Sequence, residues 1–190
     1  DIGQLPEVVN PDRKAACERN FQLFCESYFP ETYALAWSPD HLKVIEKIET
    51  AVLRGGLFAL ALPRGSGKTT ITESAALWSM LYGHREFVVL IGATESAALE
   101  LLDSLKTELE VNERLAEDFP EVCYPVAQLE GIANRCAGQL YKGERTRITW
   151  TSNEIVLPTV EGSKASGIIV RVAGITGRIR GMKFKRSDGR

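Results

Sequence analysis

Apolar positions along the chain recur at two spacings, which predict alternating helices and strands in its middle. Apolar residues three or four positions apart occur in 13–28, in 38–54 and after Thr94, as helices require. Short wholly apolar runs cover 57–62 and 87–91, and such runs are typical of buried parallel strands. The order helix, strand, helix, strand, helix predicts an α/β fold with a mainly parallel sheet flanked by helices.

Residues with helix-capping character mark the ends of these helices. Ser38 precedes Pro39 and Asp40, a sequence that favours a helix start, and two glycines at 55–56 favour its end. Thr94 is a candidate cap for a later helix, and another helix is expected from Lys68 to about residue 82.

The last third of the chain changes from helical spacing to alternation. A short helix is predicted over 112–120 and a weaker one over 126–136. From Arg147 apolar and polar residues alternate, which predicts short strands and a C-terminal part rich in β-hairpins. We therefore divide the chain into a helical N-terminal segment, 1–37, and one α/β domain, 38–190.

Length and composition limit the class of protein to which this chain can belong. Its 190 residues, 44% apolar and 25% charged, suit one soluble domain or slightly more. The apolar runs are too short to span a bilayer, so no membrane partner is expected. The chain begins at Asp1 rather than Met, which suggests a fragment. Without a C-x-x-C motif, the four cysteines (Cys17, Cys25, Cys123 and Cys136) are expected to be reduced thiols in a cytoplasmic protein, and a zinc site is not expected.

Charge is spread unevenly along the chain. Residues 141–190 hold 11 Lys and Arg against 4 Asp and Glu, whereas the whole chain has a formal net charge of −2. A basic end on an acidic body can approach a polyanion, although a solvated charged tail explains the last residues equally well.

The stretch 57–75 contains the strongest chemical signal. An apolar run ends at Pro63, a glycine-rich turn follows, and a helix is expected from Lys68, which is the context of a phosphate-binding loop. The full pattern requires a glycine five residues before Gly67, and Leu62 stands there instead.

We predict that this loop binds ATP and Mg²⁺. Backbone N–H groups would face the phosphates, Lys68 would neutralise their charge, and the Thr69 hydroxyl would reach Mg²⁺. Arg64 suits a phosphoryl group that carries developing charge, but it could equally be a salt-bridged loop residue. The predicted nucleotide-binding residues are Arg64, Gly65, Ser66, Gly67, Lys68, Thr69, Thr70 and His41.

The chain resembles the N-terminal ATPase region of the large terminase subunit of tailed bacteriophages and prophages, the motor that packages DNA. Five segments carry the resemblance, of which the loop 62–69 is the most specific: LPRGSGKT at 62–69, VVLIGAT at 88–94, NERL at 112–115, DFPE at 118–121 and RIRGM at 178–182. Family loops are commonly degenerate at the first glycine and carry an arginine where Arg64 stands. The resemblance implies a P-loop NTPase core of the ASCE, RecA-like type, translocation of double-stranded DNA, and a ring at the portal in the host cytoplasm. It also implies a small terminase subunit as partner and a C-terminal nuclease domain beyond this chain.

The resemblance assigns further roles with open alternatives. It makes Arg180 a candidate catalytic arginine acting on a neighbouring subunit, with Arg178 competing for that role and DNA or solvent contact an alternative for both. His41 would read the adenine edge, or be a surface residue at a helix start. Trp37, Trp78 and Trp150 are expected to be core or interface residues.

One catalytic element is missing from the sequence. Hydrolysis needs an apolar strand that ends in acidic residues, and no such run follows Lys68, so the chain is expected to stop before it. Two alternatives therefore stay open: a nucleotide-binding assembly module without turnover, and a nucleic-acid ATPase of the helicase type.

Overall fold

The computed structural model describes residues 1–175, and the predicted arginines Arg178 and Arg180 lie outside that range. The described helices are α1 (Pro11–Cys17), α2 (Phe21–Tyr28), α3 (Pro39–Arg54), α4 (Lys68–Leu81), α5 (Glu95–Val111), α6 (Glu113–Asp118) and α7 (Pro120–Ala127). The strands are β1 (Phe87–Gly92), β2 (Leu140–Tyr141), β3 (Glu144–Arg145), β4 (Thr149–Trp150), β5 (Glu154–Val156) and β6 (Ile169–Gly174), and a 3₁₀ helix covers Ala133–Gly138. The fold is therefore α/β, as predicted.

Helix starts follow the capping residues that the sequence contains. Ser38 accepts a hydrogen bond from the backbone N–H of His41, and Thr94 accepts one from Ala97, so both predicted caps are confirmed. The single helix predicted over 13–28 is wrong, because Asn20 caps a separate helix, α2, by accepting from the N–H of Leu23. The weak helix over 126–136 is also wrong: α7 ends at Ala127, and a turn separates it from the 3₁₀ helix.

The main sheet is mixed and mostly antiparallel, which corrects the prediction of a mainly parallel sheet. Its strand order is β1-β6-β5-β4, and only the pair β1–β6 is parallel. The connections explain the difference. Strand β4 reaches β5 through a three-residue turn, which permits only antiparallel pairing, whereas α5 to α7 lie between β1 and β6 and provide the crossover that a parallel pair needs. The small pair β2–β3 is a hairpin, as expected for this part of the chain.

The predicted strand 57–62 is not formed. Leu57 is fully exposed and Phe58 is 43% exposed, and within 1–175 the segment pairs with no strand. An extended apolar segment becomes a strand only when a neighbour accepts its backbone hydrogen bonds, and β1, an outer strand of the described sheet, pairs only with β6. Phe58 and Leu60 instead line an open apolar cavity of about 450 Å³ with α3, α4 and β1. A complete P-loop NTPase core therefore stays a proposal.

Helices α2, α4, α5 and α7 enclose the core, in which Phe24, Trp78 and Leu102 are wholly buried. The four cysteines are free thiols. Burial raises the pKa of the Cys123 thiol to about 12, so that side chain packs as a neutral group. Among residues 1–175, no helix is both long enough and apolar enough to cross a bilayer.

Candidate nucleotide-binding site

The predicted loop closes on itself between Pro63 and Ser66. The carbonyl of Pro63 accepts hydrogen bonds from the Ser66 hydroxyl at 2.8 Å and from the Ser66 backbone N–H at 3.4 Å. Gly65 and Gly67 have φ values of 78° and 73°, in the left-handed region that disfavours a side chain. A Cβ atom at either glycine would meet no atom within 4 Å. The glycines are therefore needed for the backbone conformation, and the space in front of them is open.

Helix α4 begins directly after this loop without a side-chain cap. Gly67 occupies the cap position, and the first N–H bonded back into the helix is that of Ile71, to the Gly67 carbonyl at 2.9 Å. The N–H groups of Lys68, Thr69 and Thr70 have no backbone acceptor in the described chain. Three donors at the positive end of a 14-residue helix therefore point to a place where an anion is stabilised.

The Lys68 ammonium turns back over the start of the loop. Its Nζ donates to the carbonyls of Leu62 and Pro63, the latter at 2.8 Å. These bonds hold the positive charge at the start of the loop. An incoming phosphate would compete with the two carbonyls for the same ammonium donors.

Thr69 and Arg64 are exposed at this loop and keep their polar atoms available. Neither side chain makes a hydrogen bond or ion pair to any residue of 1–175. The alternative of a salt-bridged Arg64 is therefore not formed in the described chain. The Thr69 hydroxyl fits the predicted Mg²⁺ contact, although no group of three or more His, Cys, Asp or Glu residues within 1–175 could hold a metal.

His41 ties the start of α3 to the loop. Its Nε2 donates to the Ser66 carbonyl at 2.9 Å, because a carbonyl can only accept, and its Nδ1 lies 3.0 Å from the Ser38 hydroxyl. Both ring nitrogens therefore have a hydrogen-bond partner within the described chain. His41 lies beside the predicted loop, and its contact there is with the loop backbone.

A cavity of about 250 Å³ lies beside the loop and has an aromatic wall. Tyr33, Trp37 and His41 line it opposite Gly65 and Ser66. The rings of Tyr33 and Trp37 are 4.9 Å apart, and those of Trp37 and His41 are 6.0 Å apart. The cavity therefore adjoins the glycine turn directly, on the side where α3 begins.

Hydrogen bonds fix both larger rings of this wall. The indole N–H of Trp37 donates to a Glu26 carboxylate oxygen at 2.7 Å, and the Tyr33 hydroxyl bonds the Ser74 hydroxyl at 2.8 Å. Burial raises the pKa of Tyr33, so its hydroxyl stays protonated at neutral pH. Trp78 and Trp150 are buried as predicted, whereas Trp37 is half-buried and lines the cavity. The rings of Tyr33, Trp37 and His41, close together in sequence around the start of α3, were the available sequence signal for this wall.

Comparison of the chain with family models, with curated proteins and with solved structures found no match.

Proposed function

We propose that this chain binds ATP with Mg²⁺ at the loop 63–69 and acts as the ATPase domain of a viral DNA-packaging terminase large subunit. The observation that carries the proposal is an open glycine turn followed by three helix N–H groups without an acceptor in the described chain, with the Lys68 ammonium bonded to the start of the same loop. A triphosphate carries the multiple negative charge that such a site stabilises.

Each residue of the site has a distinct task in this proposal. Gly65 and Gly67 let the backbone approach the phosphates, and Lys68 moves from the Pro63 carbonyl to a phosphate oxygen. Thr69 offers its hydroxyl to the metal, which supplies charge neutralisation at the phosphates when bound. The exposed guanidinium of Arg64 is suited to a bidentate contact with the terminal phosphoryl group.

The adjoining aromatic cavity supports a nucleotide rather than free phosphate as the ligand. Trp37 and Tyr33 provide flat apolar surface next to the loop, which is what a purine base needs for stacking. His41 contributes indirectly by holding the Ser66 carbonyl. In this proposal the loop binds the triphosphate of ATP, and the cavity binds its adenine base.

The assignment to DNA packaging rests on the sequence resemblance. The arginine-containing loop, the strand β1 and the capped helix α5 stand in the order that the resemblance requires. Double-stranded DNA, a portal protein, a small terminase subunit, a ring assembly and a place in the host cytoplasm are part of this proposal. Stabilisation by Arg180 of the phosphoryl group that water attacks in a neighbouring subunit's nucleotide belongs to it as well.

Nucleotide-dependent thermal stabilisation tests the binding step. With Mg²⁺ and ATP at about 100 times the dissociation constant, the chain should gain roughly 2.7 kcal/mol of stability, and Lys68→Ala should lose that gain. Lys47→Ala, which removes an exposed cation from the middle of α3, is the matched control and should keep it. An equal ATP-induced shift in the Lys68 variant would remove this lysine from the site.

A second candidate is a nucleotide-binding assembly module that does not turn ATP over. Among residues 1–175, no carboxylate lines the cavity beside the loop, and hydrolysis needs one to orient the attacking water. Release of inorganic phosphate from ATP by the purified chain separates the two functions. Stabilisation by ATP without phosphate release would favour the module, and turnover would favour the ATPase.

A further inference from the structure

A second polar cavity lies far along the chain from the loop, at the hairpin β2–β3. Lys142, Arg145 and Arg147 line this cavity of about 440 Å³, and all three are exposed. Two acidic residues, Glu144 and Glu161, line it as well. The cavity therefore has more positive than negative side chains.

The hairpin that carries these cations is held rigidly. Lys142 and Gly143 have φ values of 52° and 79°, as a two-residue hairpin turn demands. The N-terminus of the chain clamps it: the Gly143 N–H donates to the Asp1 carboxylate at 2.9 Å, and the Ile2 N–H donates to the Leu140 carbonyl at 2.8 Å. Lys142 and Arg145 are thus carried by a hydrogen-bonded hairpin, and Arg147 follows its second strand by two residues.

Arg147 is displayed by a strained backbone. Its φ of 52° is unusual for a residue with a side chain. Both neighbours are buried, Thr146 completely, and the Thr146 hydroxyl donates to the Gln139 side chain at 2.8 Å. Burial of the two neighbours holds the backbone in this conformation and leaves the guanidinium outside.

None of these three cations is neutralised by a carboxylate of residues 1–175. Arg145 and Arg147 make no ion pair or side-chain hydrogen bond there, and Lys142 lies over the Tyr141 ring, 5.2 Å from its centre. Arg13 and Lys14, in contrast, each pair with acids at 2.6–2.7 Å. The hairpin cations are therefore free for an external anion.

We propose that Lys142, Arg145 and Arg147 form a surface that contacts the phosphodiester backbone of double-stranded DNA without reading its sequence. Guanidinium and ammonium groups are the side chains that bind phosphate oxygens, and all three line the same cavity. The choice of double-stranded DNA rests on the proposed function, whereas the phosphate chemistry of the surface does not.

Surroundings of the hairpin favour a nucleic acid over an anionic membrane. Membrane-surface segments combine basic residues with exposed large apolar residues. The exposed large apolar residues of the described chain lie elsewhere, and none lines this cavity. The basic sequence of 141–190 adds long-range attraction for a polyanion.

Fluorescence anisotropy with a labelled duplex of about 30 base pairs, without nucleotide and over a salt series, tests the proposal. The triple variant Lys142→Asn, Arg145→Gln, Arg147→Asn keeps the positive φ at 142 and 147, because asparagine tolerates it. Its affinity should fall at least about tenfold at 100 mM salt. The slope of log K against log salt should become shallower by about 2–3, since each phosphate contact contributes roughly 0.9.

A charge-matched control separates this surface from general attraction. The triple variant Arg19→Gln, Lys47→Gln, Arg54→Gln removes three exposed cations elsewhere and should bind DNA almost as the unaltered chain does. Three results would overturn the proposal: no DNA binding by the unaltered chain, equal losses in both triple variants, or hairpin-dependent binding to anionic vesicles instead of DNA. The single variant Arg145→Gln repeats the test without touching either strained position.

The ATP-induced thermal shift, measured on the same hairpin variant, keeps the two proposals distinguishable. It should be unchanged, because the hairpin residues do not line the loop cavity. Hairpin-dependent DNA binding without any ATP-induced shift would contradict the nucleotide function and support the DNA surface. An ATP-induced shift without hairpin-dependent DNA binding would support the nucleotide function and contradict the DNA surface.

Discussion

The Nε2 atom of His41 lies 2.9 Å from the carbonyl oxygen of Ser66, so that the first turn of α3 is bonded to the middle of the glycine loop. The two residues are 25 positions apart in sequence. This bond links the aromatic wall of the cavity to the phosphate-binding turn, and the loop conformation therefore depends on α3.

Removing the His41 bond should weaken nucleotide binding. His41→Phe keeps a ring against Trp37 but loses the donor to Ser66, and ATP affinity should fall about fivefold, the equivalent of one hydrogen bond of about 1 kcal/mol. Isothermal titration calorimetry measures the change. Leu42→Ala, at the exposed neighbouring position, should bind ATP normally. Unchanged affinity in His41→Phe would mean that the loop keeps its shape without this bond.

Adding a side chain at Gly67 should strain the loop. Gly67 has a φ of 73°, so Gly67→Ala should lower the free energy of unfolding by about 1–2 kcal/mol and reduce ATP affinity. Gly67→Asn should lose less, since asparagine tolerates this conformation. Gly138→Ala is the control, because Gly138 has no positive φ and a Cβ there meets no atom within 4 Å. Urea titrations in which all three variants behave alike would contradict the argument.

The buried Asp118 should make stability depend on acidity. Desolvation opposes its charge, but Arg13 and Tyr28 donate to it at 2.6 and 2.7 Å, and the net effect lowers the pKa of this carboxyl. A lowered pKa in the folded state means that the stabilisation is complete above the ordinary value of about 3.9 and is lost as pH falls through the folded-state value.

Substitution of Asp118 follows from the same geometry. Asp118→Ala leaves Arg13 without its buried partner and should cost about 3–5 kcal/mol at pH 7. The cost should shrink as the pH falls below about 4, because the carboxyl of the unfolded chain is then protonated, and it should become small once the pH falls below the lower folded-state pKa. Asp103→Ala, at an exposed position on α5, should change stability by less than about 0.5 kcal/mol. A loss that is the same at pH 7 and pH 3 would contradict this account.

Trp37 should report on the base of a bound nucleotide. It lines the loop cavity, whereas Trp78 and Trp150 are buried in the core. ATP should therefore change the intrinsic tryptophan fluorescence of the chain, and Trp37→Phe should abolish that change. Trp150→Phe should keep it. A fluorescence change that survives in Trp37→Phe would place the base outside this cavity.

Local signals predicted the parts of this fold that depend on neighbours in sequence. The caps Ser38 and Thr94 and the glycine loop before Lys68 act over three or four residues, so pattern alone located them. The single helix over 13–28 failed because an internal cap, Asn20, outweighed the continuous apolar stripe. Asn20 caps α2 through a residue only three positions away, so this helix boundary is a local feature of the sequence.

Contacts between segments far apart in sequence determined the features that the local sequence pattern did not predict. The apolar run 57–62 has the composition of a strand, yet no strand of the described chain pairs with it. Tyr33 and Trp37 became the wall of a cavity only because the chain folds back beside Gly65. Nor did the spacing of Lys142, Arg145 and Arg147 indicate that they line one cavity, because residues 159–166 form the rest of its wall.

By itself, the sequence determined the α/β class, most helix starts and the glycine loop with its lysine, since each follows from backbone preferences and side chains close together in the chain. Only the tertiary structure decided the mixed order of the sheet, the bond from His41 to the loop and the rigid display of the hairpin cations. The physical reason is that hydrogen bonds between distant segments form only when the core brings those segments together. Their energy depends on both segments and cannot be inferred from either one alone.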